Sequence, residues 1–376
     1  MEKNDTNKND TKKTVMRKKI LFILPTLSSG GAERVILNII KYLDRNKYEI
    51  FLVIINTRDA VYLKEIPENI IFIDLKCLRL RYSIFAIIFT IWKIRPNTIF
   101  SSIGHLNLII GLLKFILPKN IKLIARETTF LNSTFSQYSF GVLRKLLFKR
   151  FYSNIDIIIC QSTLMKIDLI RNFNIKEYKL IIIKNPIDYK NINDLMLQPL
   201  EFEMEGYINI VAVGRLVSVK GFDLLIKAIA LINNPSIRLI LIGDGPNLIK
   251  LKDLRDKLSL SSNQVYFAGY QHNPYNWIFK SSLFILSSRM EGFPNVILEA
   301  LICGKFVIST PVGGVLDLFN EISQNGTMIL TDDTSSESLT QAINDFISNH
   351  NEKSYDKVNL EDYYIENVIK HYYEIL

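Results

Sequence analysis

The chain has 376 residues, 48% of them apolar, and a formal net charge of +9. That length suits two domains of roughly 180 residues, each with a filled core, and excludes a wholly disordered chain or a small stapled scaffold. Three scattered cysteines (Cys77, Cys160, Cys303) and four distant histidines exclude a disulfide framework and a zinc site.

Residues 1–19 are polar and lysine-rich and read as a disordered tail. The apolar run 20–24 stops at Pro25 without a small-residue cleavage site, so it reads as a first β-strand, not a signal peptide. It leads into Ser28-Ser29-Gly30-Gly31-Ala32-Glu33-Arg34 and a helix over 32–43, with Val35, Ile36, Ile39, Ile40 and Leu43 on one face. Gly30 and Gly31 let backbone approach a ligand, and helix amides there can cap a phosphate. Strands follow at 50–55, 70–73 and 98–101. The apolar stretch 83–92 is too short to cross a bilayer, which places the protein in the cytoplasm without a spanning helix.

Two candidate pairs follow strand ends. Gly104-His105 comes after 98–101, and Arg126-Glu127 after the strand at 121–125. The second pair reads either as acceptor recognition or as a surface ion pair. Residues 143–151 form a basic stretch whose Leu143, Leu146, Leu147 and Phe151 can share a face, which suits a helix on an anionic bilayer or an ordinary domain surface. Strands at 156–160 and 180–183 end the first domain (20–188), and the polar residues 189–206 read as a linker.

The second domain (207–360) repeats the alternation, with strands at 208–213, 237–242, 264–267, 283–286 and 306–309. Helices fall near 221–232, 246–258, 274–280, 294–303 and 336–349, and a last helix at 361–375 packs on either domain, the first being preferred. After the first of these strands comes Gly214-Arg215-Leu216-Val217-Ser218-Val219-Lys220-Gly221, where a forked cation and a point cation can neutralise a diphosphate. Gly243-Asp244-Gly245-Pro246 reads as turn geometry, and the backbone of Gly269-Tyr270 can meet a nucleotide base. Glu291-Gly292-Phe293-Pro294-Asn295-Val296-Ile297-Leu298-Glu299 opens a helix with Pro294 at its first position; the Asn295 and Val296 amides sit at the positive helix end. Two carboxylates about 12 Å apart at most along such a helix can grip distant parts of one ligand.

Charge divides unevenly. Residues 1–190 hold 32 Lys+Arg against 15 Asp+Glu, a net of +17, while 191–376 hold 14 against 22, a net of −8. The first half therefore faces something anionic. Without a recognition helix, zinc finger or stacking platform, a membrane surface is favoured and nucleic acid is not expected.

The Glu-x7-Glu segment, with the Gly-Gly-Ala-Glu-Arg and Arg215/Lys220 segments, resembles the retaining glycosyltransferases of family 4 over about residues 20–350. The resemblance implies the GT-B fold, two Rossmann-like doubly wound parallel-sheet α/β domains facing across a cleft. It implies that Glu291 contacts the donor sugar and Glu299 the ribose hydroxyls, with Phe293, Pro294 and Asn295 facing the donor. Arg215 and Lys220 would bind the diphosphate, the Gly30-Gly31 loop would lie beside it, and His105 would line the donor sugar. The family's glycine pair matches Val312-Gly313-Gly314, but Asp317 stands where a glutamate is usual.

The function implied is retaining transfer from a nucleotide-diphosphate sugar, UDP favoured over GDP, to a lipid-linked oligosaccharide in capsule, O-antigen or lipopolysaccharide synthesis. No cofactor or metal is expected, since no Asp-x-Asp occurs. The rivals are a nucleotide-sugar epimerase and a non-catalytic sugar-nucleotide-binding protein. A nicotinamide oxidoreductase is weaker, because Gly243-Asp244-Gly245 lacks the third glycine.

Overall fold

The computed structural model describes residues 17–28, 30–58, 60–131, 141–322, 326–349 and 358–376. Two all-parallel sheets organise them. The first contains β1 (Lys18–Leu24), β2 (Tyr48–Ile54), β3 (Ile71–Asp74), β4 (Thr98–Ser102), β5 (Lys122–Arg126), β6 (Ile157–Cys160) and β7 (Leu180–Ile182), in the order β3-β2-β1-β4-β5-β6-β7. The second contains β8 (Ile208–Val213), β9 (Ile237–Ile242), β10 (Val265–Gly269), β11 (Leu283–Leu286), β12 (Val307–Ser309) and β13 (Met328–Leu330), ordered β10-β9-β8-β11-β12-β13. All six residues of β9 are buried, as a strand covered on both faces requires.

The helices connecting the first sheet are α1 (Gly31–Tyr42), α2 (Ile84–Ile94), α3 (Gly104–Leu113), α4 (Gly141–Tyr152) and α5 (Thr163–Phe173). After α6 (Tyr189–Met196), the second sheet carries α7 (Phe222–Ile232), α8 (Leu248–Lys257), α9 (Tyr275–Lys280), α10 (Asn295–Ile302), α11 (Gly314–Ile322) and α12 (Ser336–Asn349), and α13 (Ile365–Ile375) closes the chain. Helices α2 to α5 bury their inner sides in one core on one face of the first sheet. Helices α1 and α13 share the core on its other face.

The strand order reverses between β1 and β4 and again between β8 and β11. At such points the connecting loops diverge and leave a crevice beyond the strand ends. The glycine loop before α1 follows β1, the Arg215 loop follows β8 and the Glu291 loop follows β11.

Several sequence expectations change. The stretch expected as a linker opens with a helix, α6. Asp188 caps it by accepting from the Asn191 N–H at 3.1 Å, and Ile192 alone is fully buried, so its pattern is too sparse to read. Strand β13 was not expected. Helix α13 packs on the first domain, placing Ile365, Val368, Ile369, Tyr372 and Ile375 in that core. Ile365 N donates to Ile187 O at 2.9 Å where the chain returns. Of the expected tail 1–19, residues 1–16 lie outside the described residues, and Lys18 and Lys19 belong to β1.

The basic stretch 143–151 belongs to α4, which turns Phe148 and Tyr152 inward, stacked at 4.0 Å, and leaves Leu146 and Leu147 exposed. The side chain of Leu143 lies outside the described residues. Among the described residues, no helix is long and apolar enough to cross a membrane.

Candidate active site

The loop after β8 is shaped by its contact with the loop after β11. Gly221 has φ +64°, and a Cβ there would lie 1.9 Å from Ser287 O, so only glycine lets the two loops nest. Ser287 Oγ donates to Lys220 O at 3.0 Å, fixing the lysine backbone. Lys220 Nζ then reaches Glu291 Oε1 at 2.6 Å, and Ser288 Oγ donates to the same oxygen at 2.6 Å. Arg215 is exposed and has no ion-pair partner among the described residues.

The Glu291 loop is clamped in turn. A Cβ on Gly313 would lie 2.2 Å from Glu291 O, and one on Gly292 would lie 2.0 Å from Thr128 O of the first domain. The Gly313-Gly314 pair thus serves close packing. Asp317 turns away from the cleft and accepts from Leu164 N at 3.0 Å, joining α11 to the start of α5. Helix α10 begins at Asn295, which leaves Pro294 as its cap residue, not its first residue.

A cavity of about 660 Å³ lies between the domains. Arg215, Lys220, Glu291 and Glu299 all line it, as do Tyr270, Phe293, Pro294, Asn295 and Val296. From the first domain come Gly30, Gly31 and Arg126. Beside Gly30 the Glu33 carboxylate folds back, 2.1 Å from where a Cβ would lie. Gly243 and Gly245 pack on the Gly214–Leu216 backbone, as turn geometry demands.

Arg34, on the first turn of α1, was quoted within its motif but not singled out. It forms an ion pair with Glu299 across the cleft, and its guanidinium lies 5.8 Å from the Tyr275 ring centroid. The carboxylate holds the guanidinium pKa well above its ordinary value despite burial, which opposes it. A second bridge runs from Arg126 Nη2 to Asn185 Oδ1 at 2.6 Å, and from Asn185 Nδ2 to Asn295 Oδ1 at 2.6 Å. Arg126 is therefore an interior residue reaching the cleft.

His105 is exposed at the second position of α3, just beyond the end of β4, and is not among the cavity-lining residues. Glu127 also stays off the cavity, and the surface-pair reading of Arg126-Glu127 fails because both are buried. Glu127 Oε1 accepts from Asn107 Nδ2 at 2.7 Å, while Oε2 is buried without a partner. Burial pushes its carboxyl pKa up to about 8.

The folded protein thus keeps a proton on Glu127 that the unfolded chain has released. This costs no stability below the ordinary carboxylate range, and stability falls as pH rises toward about 8, by up to about 1.4 kcal/mol per pH unit. Glu127→Gln is expected to flatten that slope in urea unfolding between about pH 5 and 8. An unaltered slope would count against a neutral Glu127.

Among the described residues, no three His, Cys, Asp or Glu side chains gather as a metal site.

Comparison with known proteins matches residues 29–191 to the model described as Glycosyltransferase Family 4 and residues 199–370 to that described as Glycosyl transferases group 1. The chain is similar to the N-acetylgalactosamine-N,N'-diacetylbacillosaminyl-diphospho-undecaprenol 4-alpha-N-acetylgalactosaminyltransferase of Campylobacter jejuni, 29% identical, over 85% of this chain and 88% of that one. Its fold is similar to that of Anabaena Alr3699/HepE, solved in complex with UDP-glucose, with a TM-score of 0.78 at 21% identity over 95% and 98% of the two chains. It is also similar to that of WaaG, a glycosyltransferase involved in lipopolysaccharide biosynthesis, with a TM-score of 0.69 at 16% identity over 95% of each chain.

Proposed function

The chain belongs to the family 4 glycosyltransferases of GT-B fold, and from that premise we propose that it transfers a sugar from a UDP-sugar to a hydroxyl of a lipid-linked oligosaccharide, with retention at the anomeric carbon and without a metal. The convergence of Arg215, Lys220, Glu291 and Glu299 on one interdomain cavity carries this reading.

Arg215 and Lys220 hold the diphosphate, with the start of α1 beside it. Glu299 takes the ribose hydroxyls, Glu291 a sugar hydroxyl, and the backbone at Tyr270 the base. The bond from C1 to the phosphate oxygen breaks as the acceptor oxygen bonds C1 on the same face. The acceptor proton passes to the departing phosphate, whose charge the two cations neutralise. Closure of the domains keeps water from competing. Two likenesses support the donor and acceptor classes: the Anabaena protein was solved with UDP-glucose, and the Campylobacter relative is named for a diphospho-undecaprenol acceptor. The setting is capsule, O-antigen or lipopolysaccharide synthesis, at the inner membrane face.

The test screens nucleotide sugars by thermal shift, then assays the stabilising donor with and without acceptor, with chelator present. A UDP-sugar should raise the melting temperature, transfer should survive chelation, and the product linkage should keep the donor's anomeric configuration. A new nucleotide sugar formed from donor alone would instead establish an epimerase.

A further inference from the structure

Helix α2 is apolar on its outer side as well as its inner one. Ile87, Ile91 and Ile94 enter the core, while Phe85, Phe89 and Trp92, spaced by four and three residues, form an opposite stripe that is 85%, 70% and 50% exposed. A helix apolar all round is ordinarily buried all round. Leu78 and Tyr82, just before the helix, extend the stripe and are exposed too. Exposed cations bracket it: Lys76, Arg79 and Arg81 on one side, Lys93 and Arg95 on the other. The Arg81 guanidinium lies 4.7 Å from the Tyr82 ring centroid.

The charge around this stripe is one-sided. Between Asp74 and Asp156 the sequence has thirteen Lys and Arg and a single acid, Glu127, and Glu127 is fully buried. The same face of the sheet carries a second exposed apolar spot after α3, at Phe115 and Ile116, with the Arg150 guanidinium 5.2 Å from the Phe115 ring centroid.

We infer that the α2 face is where the protein docks on an anionic lipid bilayer, with Phe85, Phe89 and Trp92 entering the interface and the flanking cations meeting lipid phosphates. Aromatic rings favour the headgroup level, and an in-plane helix flanked by Lys and Arg gains from both apolar burial and surface potential. A protein partner would need acids to answer these cations and a shaped apolar seat for the rings; an anionic bilayer supplies negative charge and apolar depth without a matching shape. The inference deepens the reading of a membrane-borne acceptor and rests on it for its purpose. It also moves the contact from the 143–151 helix to α2.

The test mixes the full chain with vesicles of phosphatidylglycerol and phosphatidylcholine, or of phosphatidylcholine alone. Binding should require the anionic lipid, and Phe85→Ser/Phe89→Ser/Trp92→Ser should weaken it at least roughly tenfold, since three buried aromatics are lost. The sequence has two tryptophans; in Trp277→Phe, the remaining Trp92 should be quenched by brominated lipid. Vesicle binding unchanged in the triple variant, or an unquenched Trp92, would overturn the inference. So would a wild-type dimer that the triple variant disperses, because the stripe would then cover a second copy. Transfer to an acceptor in detergent reports on the transferase reading separately: its absence in wild type sinks that reading alone, and the triple variant should retain it.

Discussion

Lys220→Ala is expected to lower the turnover of sugar transfer by roughly 10²–10³-fold, the scale for losing one preorganised donor to a developing oxyanion. Lys220 Nζ is bonded to Glu291 Oε1 at 2.6 Å and the lysine side chain is 23% exposed. An arriving diphosphate competes with that carboxylate for the ammonium. Removing the lysine therefore weakens UDP binding as well as turnover, and Arg215→Ala should act in the same direction.

Glu291→Ala should separate the two effects. Transfer is lost because the sugar hydroxyl loses its acceptor, yet UDP binds as well as before or better, because Lys220 no longer has a competing anion. Calorimetric titration with UDP alongside a transfer assay reads both. Intact transfer in Lys220→Ala would remove the diphosphate from this loop. Intact transfer in Glu291→Ala would remove the acid from the chemistry.

Breaking the pair between Arg34 and Glu299 is expected to have the next largest effect. Glu299 is 4% exposed, its Oε2 has no partner, and its other oxygen meets Arg34. Arg34→Ala leaves a buried carboxylate without its cation, at a cost of roughly 2–4 kcal/mol, discounted from the ~3–5 kcal/mol of fully buried pairs because the Arg34 side chain is about a quarter exposed. Glu299→Gln removes the charge and should cost less; Arg34→Met/Glu299→Gln should recover much of the loss, which a double-mutant cycle in urea measures.

A binding signature should accompany this. If Arg34 orients Glu299 for ribose, the preference for UDP over 2′-deoxy-UDP should shrink in Arg34→Ala. A preference that grows would show the guanidinium competing with ribose instead.

The strands were legible because parallel strands buried on both faces read as plain apolar runs, and the predicted 208–213, 237–242 and 283–286 coincide with β8, β9 and β11. The loops that line the cleft were legible because their glycines, proline, cations and acids stand together in short segments. Arg34 was harder to see. A lone cation in the first turn of a helix looks like a surface residue, and its partner lies 265 positions away.

Local chemistry along the chain determined two α/β domains, the loops at their strand ends and the residues on those loops, because periodicity, turn residues and helix starts depend on neighbours in sequence. Only the tertiary structure decided that Glu127 is buried, that Arg34 meets Glu299, that α13 covers the first domain and that Phe85, Phe89 and Trp92 stay outside. Those outcomes depend on which surfaces meet after the sheets have formed, and contacts between distant segments leave no spacing that the sequence can display.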